Sequence, residues 1–193
     1  MPDWEALYQA GDMGWDRGES SPALGKWLDQ GLLTLGDRVL IPGCGQGYEV
    51  VDLAKLGLDV TGLDFAATAI QSLDAKLQQD GLQATTTLED LFQYQPKQKF
   101  DVVYEQTCLC ALEPGQRVAY EACLSLWLNK GGKLLLSMMQ TGETGGPPFH
   151  CDWSAMQQLF VKERWSWQEQ VPFVVPRWRT SPRFELGFVL IRL

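Results

Sequence analysis

This sequence is short of histidine, and its positive charge falls short of its negative charge. His150 is the only histidine, so acid–base chemistry has one imidazole to draw on. Sixteen Lys and Arg stand against 24 Asp and Glu, a formal net charge of -8. A nucleic-acid or anionic-membrane partner needs a basic face, and this balance argues against one; Arg177, Arg179 and Arg183 form the one basic group near the end. No apolar run approaches the length of a membrane span. Cys44, Cys108, Cys110, Cys123 and Cys151 are odd in number and irregular in spacing, which speaks for reduced thiols rather than a disulfide framework. One residue separates Cys108 from Cys110, where a zinc knuckle prefers two or more, so no metal site is expected there or with His150-Cys151. The acidic start, Met1-Pro2-Asp3-Trp4-Glu5, is not signal-like, and a cytoplasmic protein is expected. Repeats, low-complexity segments and interdomain linkers are lacking too.

What is present begins with Val39-Leu40-Ile41-Pro42-Gly43-Cys44-Gly45-Gln46-Gly47-Tyr48-Glu49. A β-branched apolar run ends in a glycine turn, and a helical pattern (Val50, Val51, Leu53, Ala54, Leu56) follows at once. A second apolar strand, Val60 to Leu63, ends in Asp64 about twenty residues past the first glycine, as in one half of a nucleotide-binding α/β fold. Asp64 is placed to accept from a ribose diol. The spacing narrows the ligand. A dinucleotide fingerprint has its third glycine three positions after the second, and here that position is Tyr48. A P-loop is excluded because no Gly-Lys-Ser/Thr follows.

At 193 residues the chain fits one domain, 1–193, with residues 1–35 as a helical N-terminal region. The pattern predicts helices over Trp4–Ala10, 22–33, Ala66–Gln79 (ended by Gly81), Pro114–Leu128 and 152–161. Strands are predicted at the two apolar runs above, over 83–88, 101–104 and 133–137. Two strand-like runs, 164–174 and 184–192, close the chain without a long helix between them, which predicts an antiparallel hairpin.

The compact G-x-G-x-G turn resembles that of S-adenosylmethionine (SAM) methyltransferases, and the likeness extends along the chain. Trp15-Asp16 with Gly18 and Pro22, Pro42 to Glu49, Gly62-Leu63-Asp64 with Ala69-Ile70, and Glu89-Asp90-Leu91-Phe92 carry it. So do Phe100 to Thr107, Cys110-Ala111-Leu112, Gly131-Gly132 and Gly146-Pro147-Pro148-Phe149. Together they resemble the thiopurine methyltransferase-like group, which includes thiol and halide methyltransferases. The resemblance implies a Rossmann-like class I SAM-dependent methyltransferase with a mostly parallel sheet, an antiparallel C-terminal hairpin and an N-terminal lid. It implies SAM as cofactor, S-adenosylhomocysteine as product and a small-molecule acceptor, with a monomer favoured.

Residue by residue, the resemblance implies that Gly43, Gly45 and Gly47 turn beneath the methionyl and ribose part of SAM and that Asp64 holds the ribose hydroxyls. Asp90, with the backbone around Leu91, is placed by the adenine, or else caps the turn after the third strand. Glu105 faces the cofactor end of the site as a catalytic candidate, or else is a loop acid. Trp4 and Trp15 belong to a flap over the cofactor, with a packing role for Trp4 as the alternative. His150, in a loop on the substrate side, is either an acceptor contact or structural. The expected reaction is methyl transfer to a soft nucleophile (thiol, halide, thiopurine or chalcogen species), which needs little help from a base. The alternatives are a SAM-binding module without turnover and a small-molecule O- or N-methyltransferase. Thiopurine enzymes tend to have a basic residue and plant halide enzymes an aromatic where this chain has Gln106.

Overall fold

A computed structural model describes residues 2–168, 171–175 and 182–193. Arg177 and Arg179 of the expected basic group lie outside them. Two short helices come first, α1 (Trp4–Ala10) and α2 (Pro22–Asp29). Asp3 caps α1 by accepting from the Ala6 N–H at 3.0 Å, and Ser21 caps α2 ahead of a proline suited to the first turn. The alternating body follows as β1 (Arg38–Pro42), α3 (Tyr48–Lys55), β2 (Asp59–Asp64), α4 (Ala67–Asp80), β3 (Thr85–Leu88) and β4 (Phe100–Gln106). Next come α5 (Cys108–Ala111), α6 (Arg117–Trp127), β5 (Leu128–Gln140) and α7 (Trp153–Leu159). Three strands finish the chain: β6 (Trp165–Trp167), β7 (Phe173–Val175) and β8 (Phe184–Arg192).

The strand order is β3-β2-β1-β4-β5-β8-β6, with β7 also on β8. The first five are parallel, and β8 runs antiparallel to β5 from Lys133↔Ile191 to Gln140↔Phe184. The expected hairpin is antiparallel, but its first arm is broken. β6 pairs with the end of β8 and β7 with its beginning, so two short pieces stand where one run was expected.

Period-two alternation sorts the core. Leu40, Val103, Leu134, Leu136, Phe188 and Leu190 turn to one face, beneath α6 and α7, with Tyr120, Trp127 and Phe160. Val39, Ile41, Val102, Tyr104, Leu135 and Val189 turn to the other, against Trp27 of α2, Val50 and Leu53 of α3 and Leu73 of α4. The chain reverses its winding between β1 and β4, and there the carboxyl ends of the strands open a crevice. Among the described residues no helix is long and apolar enough to cross a membrane.

Candidate active site

A cavity of about 580 Å³ fills that crevice, within the usual range for a small-molecule site. Its floor is Ile41 of β1 with Gly43, Cys44, Gly45 and Gln46 after that strand, Leu63 and Asp64 at the end of β2, and Tyr104 of β4, without Glu105. The second glycine adopts φ +52°, and a Cβ there would stand 2.6 Å from the Tyr8 hydroxyl oxygen. Only glycine leaves that approach open. Asp64 is 8% exposed; its Oδ2 accepts from the Gly45 N–H and its Oδ1 from the Ala66 N–H, both at 2.9 Å. Burial pushes its carboxyl up, and those backbone N–H groups pull it back. Each oxygen keeps a lone pair for a ligand hydroxyl.

The N-terminal segment forms the cover. Trp4 and Trp15 meet edge to face with ring centroids 4.9 Å apart, Tyr8 meets Trp15 at 5.6 Å, and all three line the cavity. The segment is tied down along its length. Gln46 Nε2 reaches Met13 Sδ at 3.3 Å, the Tyr48 hydroxyl donates to Asp16 at 3.2 Å, and the Ser21 N–H donates to Glu49 at 2.8 Å. Arg17 pairs with Glu185 of β8 at 3.7 Å, and Ser137 of β5 donates to Glu185 at 2.7 Å.

The far wall is made of Gln106, Thr107, Cys108, Cys110, Ala111, Leu112, Met139, Pro147 and Pro148. Thr107 holds φ +62°, a left-handed conformation that costs a β-branched residue about 1–2 kcal/mol. Such strain is typical of functional turns. It starts α5, whose Leu109 N–H donates back to Glu105 Oε1 at 2.5 Å.

Of the residues expected at the site, the structure brings Trp4, Trp15, Gly43, Gly45, Asp64 and Leu91 to one cavity and leaves four off its wall. Gly47 faces inward, where a Cβ would stand 2.4 Å from Leu73 Cδ1, so it serves helix packing. Asp90 Oδ1 accepts from the Phe92 N–H at 2.8 Å, and its neighbours Glu89 and Leu91 line the cavity. Glu105 is 0% exposed under α5, and burial pushes its carboxyl up to about 8. His150 spends Nδ1 on the Thr141 and Gly142 N–H groups at 3.1 and 3.3 Å. Sequence reasoning missed Tyr8, Arg17, Glu49 and Glu185. Tyr8 has a local signal, four residues after Trp4 on one helix face. Arg17 and Glu185 meet across the whole chain and have none. Arg183, expected in a basic group, lines the cavity and pairs with Glu143.

A doubly wound sheet, a glycine turn at its switch point and a terminal acid on the next strand make this chain a class I SAM-dependent methyltransferase, and the residues present fit SAM: a glycine cradle, a buried carboxylate with lone pairs to spare and an aromatic cover. The chain belongs to the thiopurine S-methyltransferase family, whose model matches residues 1–182. It is 34% identical to a probable thiol methyltransferase of Arabidopsis thaliana, over 82% of this chain and 71% of that one. With the thiopurine S-methyltransferase of Pseudomonas putida (strain GB-1) it shares 29% over 94% and 90%. Among solved structures it resembles a Burkholderia thailandensis 1,6-didemethyltoxoflavin-N1-methyltransferase with bound 1,6-didemethyltoxoflavin and S-adenosylhomocysteine. The TM-score is 0.79 at 17% identity, covering 98% of this chain and 85% of that one, a likeness of fold.

Proposed function

We propose that this enzyme methylates a small, soft nucleophile: a thiol, halide, thiopurine or chalcogen species. One observation carries the reading. The far wall of the cavity is mostly apolar and polarisable, with Cys108, Cys110, Met139 and paired prolines beside Gln106 and Thr107, and the two candidate bases, Glu105 and His150, are not on it. Acids line the cavity elsewhere, at Asp12, Asp16, Glu19, Glu49, Asp64, Glu89 and Glu185; of these Glu49 accepts from Ser21, Asp64 from Gly45 and Ala66, and Glu185 from Arg17 and Ser137. A hydroxyl or amine acceptor needs a base at hand; a thiolate or halide arrives ready. The thiol and thiopurine specificities named for the two relatives agree with this.

SAM supplies a methyl group already activated on a sulfonium. The chain's own task is then positioning and drying, which can supply roughly 7–11 kcal/mol. In this reading Asp64 accepts from the ribose hydroxyls, the turn at Gly43 and Gly45 admits the cofactor closely, and Leu91 packs by the adenine. Residues 1–35 act as a lid, with Trp4 and Trp15 over the sulfonium. Release of S-adenosylhomocysteine, followed across thiols, halides, thiopurines, selenium and tellurium oxyanions, phenols and amines, tests it. Fastest turnover with the soft acceptors supports the proposal. Turnover confined to phenols or amines overturns it, and binding without release from any acceptor makes the chain a binding module.

A further inference from the structure

The first helix carries Tyr8 to a place that nothing in the glycine turn requires. Trp4, Glu5 and Tyr8 share one face of α1. Glu5 fixes that face by accepting from the Thr68 N–H at 3.1 Å and the Thr68 hydroxyl at 2.6 Å, at the start of α4. Trp15 closes on the ring from the other side, at an interplanar angle of 85°. So clamped, the phenol sets its oxygen against the second glycine, 2.6 Å from where a Cβ would be. Gly45 in turn donates its N–H to Asp64. Tyr8, Gly45 and Asp64 therefore meet on one patch of the cavity wall.

The chemistry of that patch is lopsided without Tyr8. A carboxylate only accepts, so a ribose diol at Asp64 spends its hydrogens there and leaves its oxygens wanting a donor. Burial, with the charge of Asp64 adding to it, holds the Tyr8 phenol well above its usual range, so it stays protonated. The Trp15 ring packs edge-on beside the phenol, with centroids 5.6 Å apart.

We propose that the Tyr8 hydroxyl donates a hydrogen bond to a ribose hydroxyl oxygen of bound SAM, closing with Asp64 a donor–acceptor clamp on the diol. The inference rests on the reading of Asp64 as the ribose acid, and its test separates the two. Calorimetric titration of wild type, Tyr8→Phe and Asp64→Asn uses S-adenosylhomocysteine, 5′-methylthioadenosine and the 2′-deoxy and 3′-deoxy forms of the latter. Tyr8→Phe keeps the ring, and α1 buries no residue fully, so the fold is retained, as circular dichroism will show. The expected result is an affinity loss of about three- to tenfold for both ribosyl ligands alike. One deoxy analogue is expected to bind wild type and Tyr8→Phe equally. Unchanged affinity in Tyr8→Phe overturns the proposal, and so does a loss confined to S-adenosylhomocysteine, which would place the contact at the amino-acid end. If Asp64→Asn binds every ligand as wild type does, the reading of Asp64 fails instead.

Discussion

Glu5 caps a helix that is not its own. It accepts from the backbone N–H of Thr68 at 3.1 Å and from the Thr68 hydroxyl at 2.6 Å. The N-cap of α4 is Ala66, which has no side-chain acceptor to offer. A carboxylate from α1 thus meets the positive end of α4, where an anion is favoured. The aromatic cover is thereby joined to the helix that begins three residues after Asp64.

Removing that joint is expected to loosen the cover and leave the sheet intact. In Glu5→Ala, proteolysis between Gly11 and Gly18 should speed up several-fold, and affinity for S-adenosylhomocysteine should fall while circular dichroism is unchanged. The Thr68 hydrogen bonds hold the Glu5 carboxyl below its usual 4.5. Its contribution is therefore present above 4.5 and lost as pH falls below that, so wild type should come to resemble the variant only in acid. Equal nicking rates at pH 7 would remove the latch.

The second and third glycines of the turn are expected to separate under mutation. Gly47 has φ +70° and points at Leu73, with 2.4 Å between a Cβ and Leu73 Cδ1. Overpacking and left-handed strain together predict a stability loss of about 2–4 kcal/mol for Gly47→Ala. At Gly45 the nearest neighbour is the hydroxyl of a surface helix. Gly45→Ala should cost about 1 kcal/mol of stability and displace Tyr8, with affinity for S-adenosylhomocysteine falling roughly tenfold or more. Thermal melts and titrations on both variants check this, and the reverse pattern would assign the ligand contact to Gly47.

These glycines show where the sequence was legible and where it was not. The unit from β1 to β2 could be read because its signals are local: an apolar run, a glycine turn, helical spacing and a terminal acid. α5 could not, because a four-residue helix started by a left-handed Thr107 has no period to detect. β5 begins at Leu128 rather than at the expected 133, because Leu128 pairs with Phe100 before the register shifts. β6 and β7 are separate pieces because both draw on β8, a long-range partner. At the site the same division holds. Asp64 was found from a spacing within one unit. Arg17 and Glu185 were missed because 168 residues of sequence give no hint of a 3.7 Å contact. Glu105 was named for its position at the end of β4, but strand alternation turns it away from Tyr104 and Gln106, under α5.

That placement of Glu105 makes the last prediction, which concerns stability rather than catalysis. Its Oε1 takes the Leu109 N–H, its Oε2 has no hydrogen-bond partner, and it is fully buried. Burial above all raises its carboxyl from 4.5 to about 8. The folded state therefore keeps a proton that the unfolded chain gives up, and stability falls as pH rises between those two values. Glu105→Gln cannot titrate. It should match wild type near pH 4.5 and be more stable at pH 8 by on the order of 1–3 kcal/mol, with a flatter melting profile between. Because the carboxyl is not on the cavity wall, titration with S-adenosylhomocysteine should be unchanged, and so should the pH profile of thiol methylation. A folded Glu105→Gln with turnover sharply reduced, and with the limb near pH 8 missing from the rate profile of the activity that remains, would return Glu105 to the reaction as a base.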